Sequence, residues 1–144
     1  MNGFLGRYEY QMDEKGRVSL PSAFRREVED DRFVLLQWEE PYLTLFPGSV
    51  WAEKQKGLLE LRKNGEDAAR YVRELLSMAV EVSPDKQGRI LVPALLQEAA
   101  GLDGPVLING NIDRVELWNP ERYEETHAPP VSAELSGFVT RILG

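Results

Sequence analysis

The chain contains no cysteine, which excludes disulfides, thiolate nucleophiles and sulfur-rich metal sites. It has a single histidine, His127, set beside two prolines in "ETHAPPVS". With no second imidazole and no thiolate, the residue types that zinc prefers are missing, and no metal or other cofactor is expected. No apolar run approaches the roughly 20 residues a membrane helix needs. The opening "MNGFLGRYEY" lacks a basic stretch followed by an apolar block, so no secretion signal is read and a cytoplasmic chain is expected. Catalytic groupings are scarce as well. The pairs Glu39/Glu40 and Glu124/Glu125 fall in turns or at helix starts without a clear catalytic partner, which fits solvated acids better than an acid and base pair. Ser19, Ser22 and Ser83 lack a nucleophile signature, and "NGN" and "PG" sit where hairpin turns are expected and not in a phosphate loop. No enzyme and no small-molecule substrate is read from this chain.

What the chain does have is 144 residues, 42% of them hydrophobic, enough for one compact unit or two small halves sharing a core. The net charge of −7 disfavours nucleic acid at face value, because phosphate binding needs local lysine and arginine. The charge is unevenly spread. Arg7, Lys15, Arg17, Arg25 and Arg26 crowd the first part against Glu9, Asp13 and Glu14, whereas from Asp113 onward six acids face three bases.

The chain also repeats itself. "DEKGRVSLP" from Asp13 returns as "DKQGRILVP" from Asp85, 72 positions on. At that offset Asp13, Gly16, Arg17 and Pro21 fall on Asp85, Gly88, Arg89 and Pro93 without a gap. The same register carries Val34, Leu35 and Leu36 onto Val106, Leu107 and Ile108, then Leu45, Phe46 and Trp51 onto Leu117, Trp118 and Tyr123. Equivalent large apolar residues of this kind are expected to pack, in the core or at a subunit contact, and not to form a stacking platform for single strands.

Each copy reads as strand, turn, strand, short helix, strand, turn, strand. "RYEYQM" alternates like a half-buried strand, "DEKG" supplies a turn and "RVSL" returns, the pattern of a hairpin. Pro21 and Pro93 suit the starts of the helices "PSAFRREV" and "PALLQEAAGL", the second with Gly101 as its stop. "RFVLLQW" with "YLTLFP", and "PVLING" with "RVELWN", follow as strand pairs. A unit of this size has too little core to stand alone. The two copies are therefore expected to bury their faces against each other in one α+β, barrel-like domain with a pseudo-twofold. Trp51 to Met78 reads as a helical hairpin broken at "KNGED". A last helix, "SAELSGFVTRILG", carries Leu135, Phe138, Val139 and Ile142 on one face with Ser132 as its cap.

Arginine after a tight Asp-x-x-Gly turn has two readings. In the structural one the aspartate accepts turn amides and pairs with the arginine, clamping each bend. In the functional one the glycine lets the backbone bend, the aspartate positions, and the arginine with Lys15 reaches phosphates or guanine edges. The two are compatible.

"FLGRYEYQMDEKGRVSLPSAFR" and "DKQGRILVPALLQEAAGLDGPVLINGNIDRVELW" resemble the MraZ family over nearly the whole chain. These are bacterial proteins built from two tandem modules similar to AbrB and SpoVT DNA-binding domains, of swapped-hairpin type. The resemblance implies modules at 5–53 and 77–125, a helical linker at 54–76 and a C-terminal helix at 131–144. It also implies a transcriptional regulator, a repressor, of the division and cell-wall gene cluster, nucleoid-associated, binding short direct repeats in double-stranded promoter DNA as a homo-oligomeric ring. By matched position Lys15, Arg17 and Arg89 are the expected DNA contacts, with Asp13, Gly16, Asp85 and Gly88 as turn support; Lys86 and Arg7 join them on local charge alone. Gln97 departs from the arginine common at its place in the second helix. A protein-interaction scaffold and an antitoxin-like module are the alternative readings.

Overall fold

A computed structural model of the chain describes residues 3–144; Met1 and Asn2, the first residues of the stretch read for a secretion signal, lie outside it. The first copy runs β1 (Arg7–Gln11), β2 (Arg17–Ser19), α1 (Ser22–Arg25), β3 (Phe33–Leu36) and β4 (Leu43–Pro47). Two helices follow, α2 (Gly48–Arg62) and α3 (Glu66–Ser77). The second copy runs β5 (Val80–Val82), β6 (Arg89–Leu91), α4 (Ala94–Ala100), β7 (Pro105–Asn111) and β8 (Arg114–Trp118), and the chain ends with α5 (Pro120–His127) and α6 (Ala133–Leu143). Within each copy the element order is the one the repeat predicts, α5 is a helix the sequence reading does not name, and the fold is mixed α+β with antiparallel sheets.

Local chemistry sets the boundaries. Pro21 and Pro93 sit at the N-caps of α1 and α4, where a missing N–H costs nothing. Gly101 ends α4 in the left-handed conformation at φ 65°. The first copy has no glycine there, and α1 stops after four residues instead of continuing through Val28. Asn119 caps α5 by accepting the N–H groups of Glu121 and Arg122, and Ser132 caps α6 by accepting that of Leu135.

The pairing departs from the hairpin reading. β1 does not pair with β2; it pairs antiparallel with β7 of the other copy, while β2 pairs with β6 and β5 pairs with β3. The main sheet has the order β1-β7-β8-β4-β3-β5, and β2-β6 form a separate ribbon. Because β5, β3 and β4 are the counterparts of β1, β7 and β8, that order reads the same from either end. Thr44 faces its own equivalent Glu116 across β4-β8, and Val18 faces its own equivalent Ile90 across β2-β6. The pseudo-twofold therefore passes through both pairs.

The ungapped register fails at one place. In β3 the core-facing residues are Phe33 and Leu35, and in β7 they are Val106 and Ile108, an offset of 73 and not 72. Thus Leu35 corresponds to Ile108, not Leu107. A side-chain period of 2 means that a slip of one residue exchanges the two faces of a strand, so packing decides the register over sequence identity. The offset returns to 72 by β4 and β8, where Leu43 and Leu45 match Val115 and Leu117.

The core gathers Phe4, Val18, Phe24, Phe33, Leu35 and Leu45 with Ile90, Leu96, Ile108 and Leu117 into one cluster shared by both copies. Phe46 and Trp118 are buried and each packs on a half-buried ring, Trp51 at 6.1 Å and Tyr123 at 5.2 Å between centroids, as repeat-related core residues should. Buried Glu116 accepts from Trp118 Nε1 at 2.9 Å and Asn111 Nδ2 at 3.1 Å, and no buried side-chain nitrogen or oxygen among the described residues lacks a partner.

Candidate nucleic-acid interface

The two Asp-x-x-Gly turns come together because β2 and β6 pair. In the first, Asp13 Oδ1 accepts the N–H groups of Lys15 (3.0 Å) and Arg17 (2.8 Å), while Oδ2 takes Arg17 Nε at 2.7 Å. In the second, Asp85 Oδ1 accepts those of Gln87 and Arg89, both at 2.9 Å, and Oδ2 takes Arg89 Nε at 3.0 Å. The backbone N–H of Arg17 is the main cause of a lowered carboxyl pKa at Asp13, helped by its side chain and the Lys15 N–H and opposed by desolvation; Arg89 and Gln87 do the same for Asp85. The structural reading of the motif thus holds at both copies.

The clamp leaves the arginines facing outward. β2 and β6 alternate, with Val18 and Ile90 turned into the core and Arg17, Ser19, Arg89 and Leu91 on the outer face. The Arg17 and Arg89 side chains are 33% and 27% exposed, neither sealed nor loose. Arg17 uses Nε on the clamp, and its Nη groups form no hydrogen bond among the described residues. Arg89 reaches toward the other turn, its Nη1 3.7 Å from Asp13 Oδ2. Lys15 and Lys86 lie at the turn tips and are exposed.

Each turn is held by the opposite copy. Leu20 N–H donates to Gly88 O and Val92 N–H to Gly16 O, both at 2.8 Å. Gly16 and Gly88 take φ of 86° and 80°, and both lie against a side chain of the partner copy's helix, Gln97 and Arg25 respectively. Arg25 Nε donates to Leu20 O at 3.2 Å, and Gln97 Nε2 donates to Val92 O at 2.8 Å. Gln97 therefore keeps the contact its arginine equivalent makes while removing a charge. Arg25, Gln97, Ser19 and Leu91, which is 54% exposed, are interface neighbours that the motif alone does not name. The signal for them is the repeat register, which sets Gln97 on Arg25, and the alternation of the two short strands.

Arg7 is not brought to this place. It begins β1 opposite Asn109, at the end away from the turn, about 20 Å along an extended chain from Asp13. Its guanidinium lies 5.7 Å from the Tyr123 ring centre, among Glu9, Glu121 and Glu124. Among the described residues no cluster of three or more histidine, cysteine or acidic side chains could hold a metal, and no helix is long and apolar enough to cross a membrane.

These features define a tandem-repeat α+β protein whose copies interlock and set two clamped cationic turns side by side. Comparison with known families agrees with that architecture: the model described as "MraZ protein, putative antitoxin-like" matches twice, over residues 4–73 and 75–136. Proteins named "Transcriptional regulator MraZ" are similar over most of their length: 40% identical in Thermoanaerobacter pseudethanolicus (84% of each chain), 39% in Moorella thermoacetica (85%) and 36% in Oenococcus oeni (85%). The chain belongs to the MraZ family, whose members named here are transcriptional regulators and not enzymes.

Proposed function

We propose that this chain is a sequence-specific DNA-binding regulator, a repressor of the division and cell-wall gene cluster, that acts in the cytoplasm at the nucleoid. One observation carries the reading: two anchored guanidinium groups, Arg17 and Arg89, lie on the outer face of a two-stranded ribbon with Lys15 and Lys86 at its tips. A major groove admits a two-stranded ribbon, and arginine pairs there with guanine edges while lysine meets phosphate. Asp13 and Asp85 are the positioning residues, and Gly16 and Gly88 make the bends. Arg7 lies too far along β1 to share the same groove contact and is set aside. The edge strands β1 and β5 each lead through a turn into the ribbon, which supports closure of the sheet into a pseudo-twofold barrel of two modules, 5–53 and 77–125.

The charge balance argues for many copies acting together. Four cations face three acids, Asp13, Glu14 and Asp85, in the two turns, on a chain whose net charge is −7. One copy would bind weakly. A head-to-tail ring that presents several ribbons gains by effective concentration, and repeated DNA boxes at matching spacing give specificity.

Arg17→Ala is expected to abolish the specific promoter shift in a mobility assay at fixed salt with the assembled mass unchanged, since a bidentate arginine–guanine contact discriminates by about 1–3 kcal/mol per site. An unaltered shift places the contact elsewhere. The antitoxin-like wording of the matching family model favours one second reading, a surface that engages a protein. A salt-insensitive protein complex formed by a chain that shifts no promoter DNA would establish it.

A further inference from the structure

The pseudo-twofold makes α5 the counterpart of α2: the helices begin at Pro120 and Gly48, 72 positions apart. After α2, a short turn folds α3 back so that Ala68, Ala69, Val72, Leu75 and Leu76 face inward, Val72 fully buried. After α5, Pro129 and Pro130 stand in place of that turn, stiff residues that cannot continue the helix, and α6 is left exposed. Every residue of α6 is exposed, including Leu135 (53%), Phe138 (45%), Val139 (51%) and Ile142 (79%), which share one face. This helix has the apolar stripe of a packed helix, and that stripe is left uncovered by the described residues.

The same chain exposes a matching groove. Between the α2–α3 pair and the sheet lies a cavity of about 430 Å³ lined by Trp38, Trp51, Leu58, Leu61, Tyr71 and Leu75. The 11 residues of α6 span about 16 Å, close to the length of the 12-residue α3 beside the groove. Gly57 opens the groove from within α2, and a Cβ there would have nothing within 4 Å beyond its own turn of the helix. The charged residues on the lining, Lys54 and Arg114, are already paired with Asp113 at 3.7 and 2.9 Å, and α6 carries one acid and one base, Glu134 and Arg141, so no net charge opposes the fit. Length and polarity match.

We propose that α6 of one copy docks in the α2–α3 groove of the next copy. The contact joins two different surfaces, so it is heterologous and propagates head to tail until a ring closes. The inference rests on the ring reading above and supplies its joint.

The test uses two full-length variants, Phe138→Glu on the helix and Gly57→Glu in the groove, each at a position open to solvent, with far-UV circular dichroism to confirm the fold. Native mass measurement is expected to show the assembly lost in each alone. An equimolar mixture, at the concentration where the unaltered chain assembles, is expected to give a one-to-one heterodimer and nothing larger, because one intact helix then meets one intact groove. Because the chain has no cysteine, a Gly57→Cys/Ile142→Cys chain should give a ladder of covalent oligomers on oxidation, absent from either single variant. An assembly that survives Phe138→Glu overturns the docking and leaves the ring standing, as does a mixture that stays monomeric without a ladder. An unaltered chain that is monomeric at every concentration overturns the ring itself.

Discussion

Gly16 and Gly88 hold the same turn in the two copies at nearly the same positive φ, yet their surroundings differ. A methyl group at Gly88 would meet the end of the Arg25 side chain at 2.7 Å, and that side chain can swing away at the loss of one hydrogen bond. At Gly16 it would meet the Val92 carbonyl at 2.9 Å as well as the Gln97 amide, and the carbonyl belongs to backbone already bonded into the ribbon. Positive φ alone costs alanine about 1–3 kcal/mol. Gly16→Ala is therefore expected to lower the melting temperature more than Gly88→Ala does, with about 4 °C for each additional 1 kcal/mol in a chain of this size. Equal losses would mean that strain and not the neighbouring carbonyl dominates. The aspartates add a pH dependence. Both carboxyls have folded-state pKa values below their ordinary value, so the stability they give is present above about pH 4 and is lost as the pH falls through the lowered values. In acid titrations followed by tryptophan fluorescence, the Asp13→Asn/Asp85→Asn chain should show a shallower acid limb than the unaltered protein. An identical limb would assign acid sensitivity to other carboxylates.

At the scale of elements, much of the molecule is legible in the residues. The doubled Asp-x-x-Gly-Arg, the proline before each short helix, the "KNGED" break and the Ser132 cap all lie where local chemistry puts them, because each is settled within a few residues. Partner choice is not settled locally. Alternation in "RYEYQ" states that one face is buried, but not that the neighbouring strand is β7, about 100 positions away, in place of β2. The slip at β3 and β7 is hidden for the same reason: Val34, Leu35 and Leu36 match Val106, Leu107 and Ile108 equally well as apolar letters, and only the shared core shows that Leu35 stands with Ile108. In the candidate interface the motif residues were readable one by one. That Gln97 holds the Gly16 turn and Arg25 the Gly88 turn follows from the crossing of β2 and β6, which no local pattern encodes.

For the whole molecule the crossing has a thermodynamic consequence. β1 of the first copy lies on β7 of the second, β5 of the second lies on β3 of the first, and the ribbon takes one strand from each. Each copy keeps only one hairpin of its own, β3-β4 or β7-β8, and takes its other strand pairings from the opposite copy, so neither is expected to melt while the other stays folded, although the sequence is plainly two repeats. Independent modules would give two transitions, each sensitive to substitutions in its own half. Here Leu35→Ala in the first copy and Ile108→Ala in the second, both fully buried in the same cluster, should each cost about 2–5 kcal/mol and lower one common transition. Calorimetry at fixed chain concentration reads this directly, since an assembly also shifts the midpoint. If one substitution split the profile into two peaks, the copies would be folding units and the pairing across them secondary. A single displaced peak in both variants would show that the ribbon and its two arginines exist only when both copies are folded, so that any DNA contact made there belongs to the duplicated chain and to neither half.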